Sequence, residues 1–359
     1  MAILLLEVFE GLGTTTGSGG STNVQTGLDY KYVNSWSGGT GPRIWEGWGG
    51  NGYSLSLGSD GSADLHYVSL PFGSNISTIY IGFAYRPRVN LLTSSPLFGM
   101  WNAGASVYNT YAYVLNNSAI RIQTTNFGSV PLTSATTAPN ACRPGSWSYI
   151  EYKVVIASGT GGSVIMRING VEVFNVTGID TQETGTVASH LRLFGMDGNS
   201  DTQNGQGCFD DVYISDSAFL GPIKIESILP NGDTADEDFT LSSGSDSYAL
   251  IADDPIDADT SYIESNTSTD KTLVDLAALT YIASDVKAVQ VNLTSKVDTG
   301  TMNQIPKVKS GSTEGSGATQ GISTTSYATT TQVFETNPDT TAAWAVSEVN
   351  GMQAGVEVG

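Results

Sequence analysis

Two kinds of residue in this chain have types and spacing suited to chemistry: oxygen donors crowded into loops, and aromatics set among glycines. Asp197-Gly198-Asn199-Ser200-Asp201 places hard oxygen ligands in one short loop, the donor type that Ca²⁺ prefers. The loop is no EF-hand, because the glycine at position six and the closing glutamate are missing. Asp253-Asp254-Pro255-Ile256-Asp257-Ala258-Asp259 is a second acidic cluster. Asp and Asn also build turns through their own backbone. The expectation is therefore no obligatory cofactor, with Asp197, Asn199 and Asp201 as a candidate structural Ca²⁺ loop. Among the aromatics, Trp36, Trp45, Trp48, Tyr53 and Trp101 lie in glycine-rich surroundings, notably Trp45-Glu46-Gly47-Trp48-Gly49-Gly50. Exposed aromatics beside polar groups stack on sugar rings or anchor protein interfaces; the competing reading is that they fill a core or cover a loop. Trp45, Trp48 and Trp101 are the candidate ligand or interface residues.

Catalytic constellations are harder to assemble. A retaining glycan hydrolase on a β-sandwich needs two carboxylates facing each other, and on one strand that requires offsets of two or four. No E-x-D-x-x-E pattern occurs. Glu151 is the only acid between Ser148 and Ile156, and Glu172 stands alone in its own run, so both read as solvated residues on an outer sheet face. The histidines, His66 near Asp64 and His190 before Leu191-Arg192-Leu193-Phe194, have no G-x-S-x-G elbow beside them. Each reads as a half-buried strand histidine. No Walker loop or dinucleotide fingerprint is present. The chain is read as non-enzymatic.

Composition bounds the partners. The 359 residues carry 35 acids against 15 bases, a net charge of −20, and only 14% of residues are charged. Nucleic acid is excluded as a partner, because phosphates need Lys and Arg to displace their counterions. Anionic membrane surfaces are disfavoured for the same reason. No apolar run approaches the ~20 residues that span a bilayer. The opening Met1-Ala2-Ile3-Leu4-Leu5-Leu6-Glu7 lacks a basic flank and a cleavage pattern, so it reads as a buried strand and not a signal peptide. Synthesis in a cytoplasm that keeps thiols reduced is expected. Cys142 and Cys208 can form at most one bridge, which the sequence leaves open.

The elements that must position these residues are strands. Runs rich in Val, Ile, Tyr, Phe and Thr recur between Gly, Asn, Asp and Ser clusters: 79–85, 111–115, 120–124, 148–156, 163–168, 171–176 and 191–194. Val164, Met166 and Ile168 alternate with Ile165 and Arg167, and Asn169-Gly170 then supplies a type I′ turn into Val171-Glu172-Val173-Phe174. This spacing predicts a sandwich or jelly roll. Composition changes near Gly221-Pro222. Residues 1–220 hold 15 acids and 9 bases, whereas residues 221–359 hold 20 acids and 6 bases. Two domains are expected, 1–220 and 221–359. In the second, strands are expected at 223–229, 286–295, 304–308 and 327–334, with a turn at 230–233. One short helix is expected within 270–283, a mobile loop at 310–321, and a last strand or loop at 343–349.

An ordered set of motifs then resembles a family. Met1 to Glu10 resembles the first strand of the concanavalin A-like (laminin-G-like) jelly rolls of tailed-phage virion proteins. Trp147-Ser148-Tyr149-Ile150-Glu151 looks like their central strand, Ile168-Asn169-Gly170-Val171 like their hairpin, and Phe209-Asp210-Asp211-Val212-Tyr213-Ile214 like their closing strand. Beyond it, Leu229-Pro230-Asn231-Gly232-Asp233, Asp259-Thr260-Ser261-Tyr262-Ile263, Asn337-Pro338-Asp339-Thr340 and Val349-Asn350-Gly351-Met352-Gln353 resemble a module that follows this jelly roll in phage proteins. The resemblance implies an all-β chain: a jelly roll at 1–220, its N-terminal strand paired with the closing strand, then a smaller, mainly β, acidic module. It implies a structural component of a phage particle, exposed on capsid or tail, made in the host cytoplasm and carrying over no catalytic residue. Other virion proteins and further copies of the chain are the implied partners, without membrane insertion. A carbohydrate-binding adhesin touching host-surface glycans is the alternative.

Overall fold

Alternation builds the first sheet where it is easiest to follow. Along Gly162–Ile168 every second side chain is buried, the two-residue period of a strand with one face on a core. Asn169 and Gly170 take φ of 52° and 78°, the positive pair a type I′ turn requires. The computed structural model describes residues 2–10, 12, 28–29, 31–35, 42–50, 52–57, 67–88, 94–124, 134–195, 207–253, 255–281 and 284–359. The chain divides into two units, Met1–Ile225 and Glu226–Gly359.

The first unit contains β1 (Ile3–Glu7), β2 (Val33–Ser35), β3 (Arg43–Glu46), β4 (Tyr53–Leu57), β5 (Tyr67–Ile76), β6 (Thr78–Pro87), β7 (Ser95–Asn102), β8 (Val107–Val114), β9 (Ile120–Gln123), β10 (Ser134–Thr136), β11 (Ser148–Val155), β12 (Gly162–Ile168), β13 (Val171–Ile179), β14 (Ala188–Phe194) and β15 (Gly207–Ser215). They form an eight-stranded sheet, β13-β12-β11-β6-β15-β4-β3 with β1 also on β15, and a seven-stranded sheet, β10-β9-β8-β7-β14-β5-β2. The inner faces share one core, in which Phe98 of β7 meets Phe83 of β6 at 5.6 Å and Tyr152 of β11 at 5.2 Å between ring centroids. The unit is a jelly-roll β-sandwich, as the strand spacing predicts.

β15 is the axis of the larger sheet, and all of it is buried. Its one edge takes β6; its other edge is shared, β4 along Gly207–Phe209 and β1 along Val212–Ser215. The expected pairing of the N-terminal strand with the closing strand is present. Residues 216–225 then lie over the outer face of this sheet. Leu220 and Ile223 pack on Ala84, Tyr149 and Tyr213, and Phe219 stands edge-on to Tyr80 at 5.1 Å.

This strap corrects the reading of Glu151. Expected in solvent, it is 0% exposed. Its Oε1 accepts hydrogen bonds from the Tyr213 hydroxyl (2.7 Å) and the Gly221 amide (2.9 Å). The usual exposure of acids fails here because a distant segment covers the face and supplies donors. Glu172, on the edge strand β13, is exposed as expected. Cys142 and Cys208 are both free and buried, and burial pushes the Cys142 thiol up to about 12.

The second unit contains β16 (Pro230–Glu237), β17 (Thr240–Leu241), α1 (Ser247–Ile251), β18 (Ile263–Glu264), β19 (Lys271–Leu276), β20 (Val289–Ser295), β21 (Met302–Ser310), β22 (Thr313–Ser316), β23 (Gln320–Ile322), β24 (Ala328–Phe334), α2 (Val346–Val349) and β25 (Gln353–Val358). The main sheet runs β16-β19-β25-β21-β22 with β23 on β21, beside the pairs β17-β18 and β20-β24. Val291, Val308, Trp344 and Met352 sit in its core.

Five local expectations fail here. The helix within 270–283 is instead strand β19, whose Thr272, Leu273 and Val274 are all buried between β16 and β25; ladder partners on both edges override helical spacing. Residues 223–229 form no strand, since the Ile225 amide donates to the Asp211 side chain and not to a ladder. Pro230–Glu237 is strand and not turn. The Gly/Ser-rich 310–321 segment is largely hairpin: β22 pairs with β21 across Gly311, whose φ is 57°. A Cβ on Gly317 would lie 2.6 Å from Gln332, so that glycine serves close packing. At the end, Val346–Val349 is a single helical turn, its preceding Ala345 amide held by the Glu348 carboxylate at 2.8 Å.

Gly82 tests the covered face. A Cβ there would stand 2.1 Å from the Tyr213 ring, so Gly82→Ala must displace the tyrosine that carries the Glu151 clamp. Urea unfolding is expected to show a loss of about 1–3 kcal/mol. Gly104→Ala, which meets only an Asn102 oxygen at 3.5 Å, should change stability by less than about 1 kcal/mol. Equal stability of the two variants would contradict this packing.

Candidate functional site

The candidate residues separate in space. Asp197, Asn199 and Asp201, with Trp36, His66 and Asp254, lie outside the described residues. In the second acidic cluster, Asp253 and Asp257 both accept from the Ser261 hydroxyl, at 2.8 and 3.0 Å, and Asp259 pairs with Lys296 and Tyr327. That is turn chemistry. Among the described residues no group of three His, Cys, Asp or Glu side chains is placed to hold a metal ion. Trp45 (β3) and Trp48 belong to the eight-stranded sheet's side of the sandwich, whereas Trp101 (β7) belongs to the seven-stranded sheet. The structure does not bring the three together.

Trp48 is a fastening. Its amide donates to Asp210 Oδ2 at 2.7 Å and its ring lies 5.1 Å from that of Tyr149. Asp210 and Asp211 are both fully buried. A bulge in β15, with Asp211 at φ 48°, breaks the register between them and Tyr213. Lys224 approaches both carboxylates, at 3.6 and 3.1 Å, and the Ile225 amide donates to Asp211 at 2.7 Å. Burial holds both carboxyls above the ordinary carboxylate range, and Asp211 raises Asp210 further, while Lys224 works against the shift in each. The bonds to Lys224 and Ile225 fix the strap and the bond to Trp48 fixes the turn after β3, so the pair is structural. Trp45 lies under the Arg88 guanidinium, 3.6 Å from ring centroid to Cζ, and its own buried indole N–H has no acceptor among the described residues.

Trp101 leads to a different surface. Across the seven-stranded sheet, His190 faces Trp101 and Trp101 faces Tyr108; Arg192 faces Gly99 and Gly99 faces Tyr111; Tyr113 faces Arg121; Phe194 faces Tyr67. Directly opposed residues share a face, and this is the face turned from the core. Tyr108 and Tyr111 share it, three residues apart, because a register break leaves Asn109 unopposed. Asn109 is itself buried and holds Val187 O (2.9 Å) and the Glu183 amide (3.0 Å). Gly99 makes the room: a Cβ there would stand 2.8 Å from the Tyr108 ring and 3.5 Å from Phe194.

Arg192 is the centre of this face. Its Nη1 donates to the Tyr108 hydroxyl at 2.7 Å, and its Cζ sits 3.7 Å from the Trp101 ring centroid and 4.2 Å from that of Tyr67. Arg121 lies 5.2 Å from Tyr113. His190, half-buried as expected, contacts Ser189 Oγ through Nδ1 at 2.8 Å. Burial first, then Arg192, lowers its pKa, so the imidazole is neutral near pH 7. Burial raises the Tyr108 hydroxyl, with Arg192 pulling it back. The face therefore offers a guanidinium held among aromatic rings, phenol hydroxyls, and a neutral imidazole able to accept a proton or a hydrogen bond. Sequence reading reached Trp101 and missed Arg192, Tyr67, Tyr108, Tyr113 and Arg121. The signal available was the alternation His190-x-Arg192-x-Phe194.

Comparisons with known proteins agree on architecture. No family model and no curated protein matches the chain. Among solved structures, the endo-β-1,4-glucuronan lyase of the fungus Trichoderma reesei is 16% identical, over 52% of this chain and 90% of that one, with a TM-score of 0.40. The marine alginate lyase from Aplysia kurodai is 11% identical over 50% and 87%, with a TM-score of 0.36. The Ruminococcus gnavus sialidase carbohydrate-binding module, solved with α2,3-sialyllactose, is 14% identical over 40% and 78%, with a TM-score of 0.29. The likeness is one of β-sandwich fold. It corrects the reading of the chain as non-enzymatic: proteins of this architecture include polysaccharide lyases. The sequence test sought the carboxylate pair of hydrolysis, whereas elimination needs a base and an acid that His, Tyr or Lys can supply. A missing pair therefore does not exclude catalysis.

The buried acid pair makes a pH prediction. A folded-state pKa above the unfolded one means that the native state binds the proton more tightly. The stability this contributes is complete below about pH 3.9 and declines as pH rises toward neutrality and beyond. Asp210→Asn removes one of two carboxylates competing for one lysine. It is expected to flatten that decline by about 1 kcal/mol or more between about pH 5 and about pH 8, read by urea unfolding at each pH. An unchanged slope in the variant would sink this account of the pair.

Proposed function

We propose that this chain is a surface-exposed component of a tailed-phage particle whose first unit contacts host-surface glycan through the outer face of its seven-stranded sheet. The observation that carries the glycan contact is the cluster of Trp101, Tyr108 and Tyr67 around Arg192, half-buried and turned from the core. Partly exposed rings fixed by their neighbours offer stacking platforms at little cost in side-chain entropy, and the surrounding polar groups give orientation. The particle assignment is supported by the ordered motifs, several of which have defined jobs. Glu151 clamps Gly221, Asp210 and Asp211 hold Trp48, Lys224 and Ile225, and buried Asn337 accepts the Asp339 amide while donating to Ser310. On this reading the chain assembles with other virion proteins and with copies of itself.

A glycan array probed with the whole chain is expected to give positives that Trp101→Ala weakens about tenfold, the worth of one ring contact. An array on which the wild-type chain binds nothing overturns the glycan contact. Digestion and mass spectrometry of purified particles should recover peptides from both units; particles lacking them overturn the assignment to the virion.

A further inference from the structure

Charge is distributed unevenly between the two sheets of the first unit. The chain holds 35 acids and 15 bases, yet none of the seven strands β2, β5, β7, β8, β9, β10 and β14 contains an Asp or Glu. The eight-stranded sheet carries Glu7, Glu46, Glu151, Glu172, Asp210 and Asp211. The acid-free sheet carries Arg121, Arg192 and His190, all on its outer face by register.

Among the described residues no carboxylate neutralises either arginine. Arg192 bonds a neutral phenol and packs on rings, Arg121 packs on Tyr113, and neither forms a salt bridge with a described residue. The Nε of each is buried without a partner among the described residues. A guanidinium drawn out of water with a donor unpaired costs stability that no carboxylate among the described residues restores. Its planar fork, fixed by Trp101, Tyr67 and Tyr108, is preorganised for an oxyanion. In a chain of net negative charge, the strands of this sheet add no carboxylate to repel an anion, although the eight-stranded sheet carries cations of its own, Arg43, Arg86, Lys153 and Arg167.

We infer that the outer face of the seven-stranded sheet takes an acidic polysaccharide, with a sugar carboxylate or sulfate on Arg192 and the sugar ring on Trp101. This rests on the glycan contact proposed above and names its substrate class. Arg121 reaches a second acidic group along the polymer, and a neutral glycan leaves both arginines unmatched.

The test is calorimetric titration of the whole chain with alginate, with the same alginate after its carboxyl groups are reduced to hydroxymethyl groups, with dextran sulfate and with dextran. Acidic polymers are expected to bind at least about tenfold more tightly than their neutral counterparts, with affinity falling as salt rises. Arg192→Gln is expected to remove most of the acidic preference, Arg192→Lys to retain more of it, and the double variant Arg192→Gln/Arg121→Gln to bring acidic affinity down to the neutral level. Arg121→Gln, which leaves Trp101, Tyr67 and Tyr108 around Arg192 in place, should weaken acidic binding without lowering the melting temperature. A preference for alginate alone assigns a carboxylate, and one for dextran sulfate alone a sulfate; either supports the inference. Equal affinity for acidic and neutral polymers, with Trp101→Ala weakening both, overturns it and leaves the glycan contact standing. So does neutral binding on the array with no binding of either acidic polymer. Absence of every glycan overturns both. An acidic preference unchanged in Arg192→Gln and Arg121→Gln overturns this face as its seat.

Discussion

Three buried carboxylates hold the closing segment of the first unit to its larger sheet, and the arrangement of that unit follows from them. Glu151 gathers the Tyr213 hydroxyl and the Gly221 amide onto one oxygen. Asp210 and Asp211 gather Trp48, Lys224 and Ile225. Carboxyl groups taken out of water are costly unless they are hydrogen-bonded, so the donors must arrive together. They come from the turn after β3, from β15 and from the strap beyond it. The strap in turn buries Ala84, Tyr149 and Tyr213, which leaves no outer face there for a ligand.

That arrangement divides the labour of the sandwich. On one side the strap covers Ala84, Tyr149 and Tyr213, and Glu151, Asp210 and Asp211 serve there as internal fasteners. The other carries no acid in its strands, and Trp101, Tyr108, Tyr67 and Arg192 on it are part-exposed. The two arginines on its outer face, with Trp101 and the tyrosines, stand on rigid antiparallel strands and not on loops, which favours precise geometry over adaptability. The register break at Asn109 joins this face to the neighbouring loop, since the same side chain holds Val187 and Glu183.

Much of the fold was legible where its cause is local. The Asn169-Gly170 hairpin needs only alternation and a turn dipeptide, and the strand spacing of residues 1–220 announces a sandwich. Reading failed where the cause is distant. Glu151 looks like an exposed strand acid until the strap is known to cross it. Leu273, Leu276 and Leu279 suggest a helix until β16 and β25 are seen to flank the first of them. The glycines of 310–321 suggest flexibility, although Gly317 is required by the approach of Gln332. The site was legible in one residue, Trp101. The remainder depends on which strands are neighbours and on the bulge that aligns Tyr108 with Tyr111, and neither is written in local sequence. The absence of acids from seven scattered strands is visible in the sequence only once those strands are known to form one sheet.

We propose that this chain meets an acidic glycan on the outer face of its seven-stranded sheet. A crystal structure of the whole chain with an oligo-uronate tests it most directly. The account places a sugar ring on Trp101 and a carboxylate about 2.7–2.9 Å from the Arg192 guanidinium. An oligosaccharide bound elsewhere, beside Trp45 and Arg88 for example, or a sugar on Trp101 whose carboxylate turns away from Arg192, would contradict it.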